Sequence, residues 1–269
     1  NPIICADFPE PDVIRVGDTY YMICATMHFF PGGTLLKSYD LVHWEIAAHV
    51  FERLDDTPAE QLEGEQSIYG KGMWAASLRY HKDTFYVCFA SYDTGKTYIY
   101  RTKNINEPWE KRSLDGVYHH PSLLFDEDGR IYMGYGFNEV RILELNDTLT
   151  APKEGGFERL LVEEKQDAYI SYEGAHFYKK DGTYYIFVIQ WLKGNLTQRE
   201  QLCLYGDSLD GEFKKEMVFS ENLGFPMKGV AQGGIVDTPE GDWYSVMYQE
   251  HGAIGKMPVL VPVSWDKNV

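Results

Sequence analysis

Residues 171–187 read SYEGAHFYKKDGTYYIF. The second half predicts a β-hairpin, because an apolar arm leads through a Lys-Lys-Asp-Gly turn into Thr-Tyr-Tyr-Ile-Phe. The first half is unusual, since a carboxylate, Glu173, stands beside Gly174 and Ala175 at the start of a strand that otherwise suits a core. The hairpin bears on the fold, and its carboxylate bears on the function.

The same hairpin pattern recurs four more times along the chain. It occupies residues 12–24, 76–89, 121–136 and 233–249, and each copy joins a short apolar arm to an aromatic-rich return arm through a polar turn. A third strand pattern follows each hairpin. Five copies of a three- to four-stranded unit, at roughly 45–65 residues each, indicate a radial array.

We therefore predict an all-β chain folded as a single five-bladed β-propeller over residues 1–269, with almost no helix. Stacking the blades around an axis buries both faces of each small sheet and leaves only short edges. A β-sandwich with similar strand spacing is the alternative, and the five-fold regularity favours the propeller. The last strand is expected to pair into the blade that the N-terminus begins. Residues 51–70 are expected to form a long loop with room for one helical turn.

The formal net charge of −16 bears on the partners of the protein. Phosphate groups are bound through Lys and Arg, so nucleic acid and anionic membranes are poor partners, whereas neutral substrates fit this charge. No apolar run approaches the ~20 residues of a membrane-spanning helix. The chain has 20 Tyr, 14 Phe and 6 Trp, which suit strands and also suit platforms on which sugar rings stack.

The four cysteines are scattered, and no pair has the spacing of a metal or redox motif. They are Cys5, Cys24, Cys88 and Cys203. Free thiols are the expected state. Because structural disulfides belong to oxidising compartments, unpaired cysteines favour a reducing one, and a cytoplasmic location is expected. A periplasmic or secreted location stays open.

In a propeller the first strand of each blade lines the central channel. Residues at the entrances of the five first strands should therefore be equivalent and point into one funnel: Glu10, Ala75, His120, Glu173 and Gln232. Glu173 would then project into the funnel and not into a core. Two carboxylates that face each other across a cavity are the minimum requirement for glycoside hydrolysis. The alternative is that these polar groups only solvate the channel.

Six segments resemble glycoside hydrolase family 43, in order and over essentially the whole chain. They are NPIICADFPEPDVIRVGDTYYM (1–22), SYDLVHWE (38–45), YGKGMWAASLRYH (69–81), HHPSLLFDEDGRIYMGYG (119–136), YEGAHFYKKDGTYYIF (172–187) and AQGGIVDTPEGDWY (231–244). The resemblance is greatest to the β-xylosidase and α-L-arabinofuranosidase branches. It implies a five-bladed propeller and hydrolysis with inversion. One carboxylate then activates water, a Glu protonates the leaving oxygen, and an Asp tunes the pKa of that Glu and orients it.

By position, the resemblance makes Glu173 the general acid, Glu10 the general base and His120 the occupant of the tuning position. The last two depart from the family pattern, which has Asp at both places. The longer arm of Glu10 can crowd the water that inverting enzymes hold between carboxyl groups ~6.5–9.5 Å apart, and ~1 Å of misplacement can cost ~100-fold in rate. His120 cannot raise the pKa of the acid by like charge, so a poorer general acid is expected near neutral pH. Asp7 and Asp12 are substitute bases, although strand alternation turns Asp7 away and Asp12 lies a step further along the strand.

Four further residues are expected to bind substrate. Trp74 is either a stacking wall for a pentose ring or a plug of the channel. Phe30 belongs to a loop that, by the resemblance, shapes the sugar pocket, and Gln232 offers an amide to a sugar hydroxyl. Lys256 stands where relatives often have Arg. Relatives often hold a central metal ion through a His just before Gln232, where this chain has Ala231. We therefore expect no metal site and no required cofactor, with structural calcium left open.

The leading hypothesis is a glycosidase that releases xylose or arabinose from the non-reducing ends of plant cell-wall xylo- or arabino-oligosaccharides by inversion. The departures at positions 10 and 120 motivate a second hypothesis, a weakly active or inactive homologue that binds saccharide. A third is a propeller that serves as a protein-interaction platform. The choice between xyloside and arabinofuranoside, exo or endo action and the oligomeric state stay open.

Overall fold

The computed structural model describes residues 1–163, 168–194, 198–226 and 228–265, and these form five antiparallel sheets. Each sheet is one blade, built from strands that are consecutive in the chain. Blade by blade, the strands are β1 (Asp12–Val16), β2 (Thr19–Cys24), β3 (Gly32–Ser38) and β4 (Glu45–Phe51); β5 (Met73–His81), β6 (Thr84–Ser91), β7 (Lys96–Thr102) and β8 (Glu110–Asp115); β9 (Ser122–Phe125), β10 (Ile131–Tyr135), β11 (Glu139–Leu145) and β12 (Glu158–Glu163); β13 (Ala168–Lys180), β14 (Thr183–Leu192), β15 (Glu200–Gly206) and β16 (Lys214–Phe219); and β17 (Val230–Asp237), β18 (Trp243–Glu250) and β19 (Lys256–Val263).

The first strands of the blades form a closed ring around an axis. β1 contacts β5, β5 contacts β9, β9 contacts β13, β13 contacts β17, and β17 returns to β1. The architecture is a five-bladed β-propeller, which confirms the predicted fold. The sandwich alternative is wrong, because a sandwich packs two sheets face to face and not five around an axis.

Within the described ranges the helical content is one 3₁₀ turn, Gly252–Ile254. No helix in those ranges is long and apolar enough to cross a membrane.

The hairpins of the sequence repeat are the pairs of first and second strands. In the fourth blade, Lys180 pairs with Thr183 across a two-residue turn whose residues, Asp181 and Gly182, have φ of 51° and 85°. Positive φ at both positions is the requirement of the type I′ turn, whose twist matches that of the flanking strands. Behind the turn, the buried ring of Phe177 packs in a core shared with the third blade. The local pattern thus fixes both the hairpin and the face that it buries.

A buried ion pair ties the blades together at the axis. Nη1 of Arg79, on β5, donates to Oδ2 of Asp12, on β1, at 2.7 Å. The same guanidinium reaches Oγ of Ser122 (2.8 Å) and the carbonyl of Phe177 (3.1 Å) on two further blades. Burial raises the pKa of Asp12, but the charges of Arg79 and His176 lower it by more, so Asp12 is ionised. His176, 3.1 Å from Asp12, is a structural residue of this axis.

The junction between the last blade and the first differs from the prediction. The last strand, β19, is the third strand of the fifth blade and pairs with β18. The N-terminal residues 1–8 run alongside β19, since the amides of Ile3 and Phe8 donate to the carbonyls of Pro258 and Lys256 at 2.9 Å. The expectation that the last strand joins the first blade is therefore wrong. The first blade supplies its own four strands, so the N-terminal segment completes the fifth.

Residues 52–72 carry no strand, as predicted, and arch from the first blade to the second. The expected helical turn is reduced to one hydrogen bond of helical spacing, from the amide of Gln61 to the carbonyl of Thr57 (3.1 Å). The hydroxyl of Thr57 donates to Asp93 at 2.7 Å, which anchors the loop to the second blade.

Candidate active site

Of the polar residues predicted to line the funnel, Glu10 and His120 lie two residues before β1 and β9, and Glu173 and Gln232 lie within β13 and β17. Glu10, His120 and Gln232 share a left-handed backbone conformation, with φ of 55°, 46° and 55°. In the fourth blade this conformation belongs to Gly174 (φ 72°). Gly174, and not the predicted Glu173, is therefore the residue of the fourth blade that is equivalent to the other three, so the prediction was wrong by one residue. The pairing of β13 with β14 is irregular next to Glu173, and bulges of this kind re-aim side chains beside active sites.

The carboxylate of Glu173 is held by two residues that the sequence prediction missed. Nε2 of His119 lies 2.8 Å from Oε1 of Glu173, and Nδ1 of His119 lies 2.5 Å from the hydroxyl of Tyr92. These side chains form a chain from half-exposed Tyr92 to Glu173, whose side chain is 11% exposed. A neutral imidazole donates at one ring nitrogen and accepts at the other. One tautomer of His119 therefore stabilises the carboxylate, and the other accepts the proton of the carboxylic acid.

Glu10 enters the funnel as the partner of Lys256. Nζ of Lys256 lies 2.8 Å from Oε1 of Glu10 and 4.6 Å from the ring centre of Tyr248. Burial lowers the pKa of Lys256, but the carboxylate of Glu10 raises it by more, so Lys256 is a cation. The other oxygen of Glu10, Oε2, is buried and has no hydrogen-bond partner among the described residues. Glu10 as a whole is 3% exposed.

The imidazole of His120 lies between the two carboxylates. Its Nε2 is 4.0 Å from Oε2 of Glu10, and its Nδ1 is 3.9 Å from Oε1 of Glu173. Both distances exceed those of hydrogen bonds, and Nδ1 contacts Nε2 of Gln232 at 3.3 Å. Burial lowers the pKa of His120 well below its ordinary value, although Glu173 opposes this shift. The ring is therefore neutral at neutral pH.

Opposing influences act on the pKa of Glu173. Burial raises it, whereas the charge of His120 and the hydrogen bond and charge of His119 lower it, and the lowering prevails. The hydrogen bond between His119 and Glu173 does not depend on the charge of His120. A lowered pKa places the proton-donating form of Glu173 at acidic pH.

Trp74 joins this cluster through its ring contacts. Its ring centre lies 5.6 Å and 5.7 Å from those of His119 and His120, and 5.3 Å from that of Tyr92. Its Nε1 donates to the carbonyl of Gly70 at 3.1 Å, which fixes the indole. The Trp74 residue is half-buried.

Gln232 and Phe30, both predicted to bind substrate, are packed against other groups of the protein. Gln232 is buried, and its side chain contacts His120 and covers Gly174, so it supports the imidazole. Phe30 packs edge-on against Phe51, with ring centres 6.0 Å apart, on the core of the first two blades. Its neighbour Phe29 is 53% exposed, so Phe29 is the ring of this loop that faces solvent.

Neither acidic neighbour of Glu10 is placed to replace it. Asp7 is exposed, and its Oδ1 accepts from the amide of Lys256 at 2.7 Å. Asp12 is fully buried in its pair with Arg79. Glu10 is therefore the carboxylate of this segment that faces His120.

The funnel holds two carboxylates, Glu10 and Glu173, which approach different nitrogens of His120, and a pair of carboxylates is the minimum requirement for glycoside hydrolysis. The family model for glycosyl hydrolases family 43 matches residues 1–268. The chain belongs to glycosyl hydrolases family 43, as the resemblance of its motifs predicted.

Curated relatives and solved structures are similar over the whole chain. A β-xylosidase of Formosa agariphila is 30% identical over 98% of this chain and 49% of its own length. A non-reducing end α-L-arabinofuranosidase of Bacteroides ovatus is 29% identical over 99% of this chain and 51% of its own. The chain thus spans about half the length of these relatives. A bifunctional GH43-CE structure from Bacteroides eggerthii matches with a TM-score of 0.93 at 38% identity, over 100% of this chain and 34% of that one.

Proposed function

We propose that this chain is the catalytic propeller of a glycosidase that releases a pentose, xylose or arabinose, from the non-reducing ends of plant cell-wall oligosaccharides with inversion. The supporting observation is the position of Glu10 and Glu173 on opposite sides of the His120 ring. The substrate class follows from relatives named β-xylosidase and α-L-arabinofuranosidase. Trp74 offers its face to a sugar ring beside these groups.

In this proposal Glu173 is the general acid. It gives its proton to the glycosidic oxygen as the bond from that oxygen to the anomeric carbon breaks, and His119 orients the carboxyl group. Glu10 is the general base, which takes a proton from the water whose oxygen attacks the anomeric carbon from the opposite face. Lys256 compensates the charge of Glu10. Each turnover leaves Glu173 ionised and Glu10 protonated, and proton exchange with solvent resets both.

One observation favours a second candidate, a homologue that binds saccharide but turns it over slowly or not at all. Oε2 of Glu10, the atom that would take the proton, is buried against His120. The Glu10 side chain is longer by one methylene than the Asp that the motif resemblance implies, and Glu10 as a whole is 3% exposed. Restricted access of the nucleophilic water to this buried oxygen would slow the reaction.

We further propose that the propeller needs no structural calcium and no cofactor. Calcium prefers six to eight oxygen ligands, whereas the guanidinium of Arg79 fills the axis beside Asp12, and Ala231 carries no ligand atom. The partner is a neutral xylo- or arabino-oligosaccharide, in keeping with the net charge of −16. The unpaired state of all four cysteines supports a cytoplasmic location.

The test is hydrolysis of xylobiose, p-nitrophenyl β-D-xylopyranoside and p-nitrophenyl α-L-arabinofuranoside by the wild type and by Glu173→Gln. Loss of the general acid should lower kcat on xylobiose by about 10²–10⁴-fold. A melting temperature raised by xylobiose, without turnover by either protein, supports the second candidate. Neither turnover nor binding of any of these sugars would contradict both candidates.

A further inference from the structure

We propose that His119, His120 and Glu173 form a binding site for a transition-metal cation of the Zn²⁺ type. The ligand atoms, Nε2 and Nδ1 of the two histidines and Oε1 of Glu173, all lie within 4.8 Å of one another. The second imidazole, His120, stands at the position where the motif resemblance implies an Asp.

The two distances to Glu173 suit a tetrahedral ion after small shifts, and the two imidazole nitrogens, within 4.8 Å of each other, must also close to tetrahedral spacing. Bonds of about 2.0–2.2 Å to nitrogen and oxygen place neighbouring ligand atoms of a tetrahedron about 3.3–3.5 Å apart. Oε1 of Glu173 lies 2.8 Å from His119 and 3.9 Å from His120, so one distance opens and the other closes by about half an ångström. The two rings stack at 18° with centres 3.9 Å apart. One ring must also turn about its Cβ–Cγ bond so that both lone pairs reach the ion.

The donor set selects the class of metal. Imidazole nitrogen suits zinc, copper and nickel, whereas calcium and magnesium prefer oxygen ligands. Three protein ligands leave the fourth tetrahedral position open to water or to a sugar hydroxyl. The hydroxyl of Tyr92, 2.5 Å from Nδ1 of His119, holds that ring as outer-shell partners hold metal-bound histidines.

The charge around the cluster also favours a cation. Two carboxylates, Glu10 and Glu173, face the His120 ring, and one ammonium, Lys256, is paired with Glu10. The formal charges of these two carboxylates and one ammonium sum to one net negative charge. All are largely buried, so the attraction for a divalent ion is weakly screened.

Metal binding has a consequence that rests on the proposed function. The ion would take the place of the proton shared by His119 and Glu173 and release it. Glu173 would then have no proton to give to a leaving oxygen. Zinc should therefore inhibit hydrolysis, although binding itself requires no turnover.

The experiment is titration of the metal-free protein with ZnCl₂ by calorimetry and with CoCl₂ by visible absorption. His119→Gln and His120→Asn each remove one ligand, and Asn tolerates the positive φ of position 120. The matched control is His43→Gln, which removes an imidazole that lies 2.7 Å from Asp40 at the exposed surface. Melting temperatures without metal show whether each variant is folded.

We expect one equivalent of Zn²⁺, the intense absorption of tetrahedral Co²⁺, and an affinity reduced by at least about 10–100-fold in both ligand variants. His43→Gln should bind as the wild type does. A wild type that takes up no stoichiometric zinc, or two folded ligand variants that bind it unchanged, would overturn the site. Binding is measured without substrate, so an inactive wild type does not affect this test. Hydrolysis that persists at saturating zinc would contradict the predicted inhibition.

Discussion

Nζ of Lys256 lies 2.8 Å from Oε1 of Glu10, and this pair joins the first blade to the last strand of the fifth. The N-terminal segment closes the ring at the same place, where Phe8 donates to the carbonyl of Lys256 and Asp7 accepts from its amide. The proposed base is therefore positioned by the contacts that close the propeller. Changes at this closure should affect both stability and activity.

Lys256→Met should lower the free energy of unfolding by about 3–5 kcal/mol, because it leaves the buried carboxylate of Glu10 without its partner. Lys256→Arg keeps the charge and should retain most of the stability. Urea unfolding measures both. Lys37→Met is the matched control, since it breaks an exposed pair with Glu45 (3.0 Å) and should change stability little. Equal losses at positions 256 and 37 would contradict the account.

Arg79→Met should lower the free energy of unfolding by about 3–5 kcal/mol near neutral pH, because Asp12 is left charged and buried. In the wild type the folded state lowers the pKa of Asp12 below its ordinary value of 3.8. The stability that this provides is present above pH 3.8 and is lost as the pH falls below it. The difference between wild type and variant in urea unfolding should therefore shrink in acid. A difference that stays constant with pH would argue against the axial ion pair.

His119→Leu, which has no group to donate to Glu173, should move the pH dependence of hydrolysis. His119 lowers the pKa of Glu173, so its removal raises that pKa, and the protonated acid persists to higher pH. The alkaline limb of kcat/KM on xylobiose should therefore shift upward in pH. Tyr92→Phe should shift it in the same direction by less, since it removes only the partner of His119. If the alkaline limb of kcat/KM stays in place or moves to lower pH in both variants, the proposed effect of His119 on the pKa of Glu173 is contradicted.

Gly174→Ala should disturb the site more than an ordinary glycine replacement does. A Cβ at Gly174 would lie 2.7 Å from the Gln232 side chain, which would be pushed off His120. Gly17→Ala has a similar φ of 64° and open space around its Cβ, so it reports the backbone cost alone, about 1–2 kcal/mol. Unfolding and kcat measured on both variants separate the two effects. Equal losses of stability with unchanged kcat would show that the close approach is unimportant.

The fold was predictable because its repeat is local. Each hairpin has its turn residues and its alternating arms within one short stretch, as Asp181 and Gly182 show in the fourth blade. The closure was mispredicted because Ile3 and Pro258 meet from opposite ends of the chain, and no local pattern records their pairing. The axial pair of Asp12 and Arg79, 67 residues apart, was missed for the same reason.

The candidate site was predictable only in part. Glu10, Glu173 and His120 were candidates because each precedes the hairpin pattern of its blade in the sequence. His119 lies one residue before that position, and its adjacency to His120 was the available indication. Tyr92 lies in the loop between β6 and β7, which has no periodic pattern, so only the folded structure relates it to Glu173.

The anomeric configuration of the first sugar released tests the central claim most directly. Proton NMR of the wild type, recorded before mutarotation, should show α-xylose from a β-xyloside or β-arabinose from an α-arabinofuranoside. That result would support Glu173 as acid and Glu10 as base across His120. Release of the sugar with retained configuration, or no release from either substrate, would contradict an inverting site built on these two carboxylates.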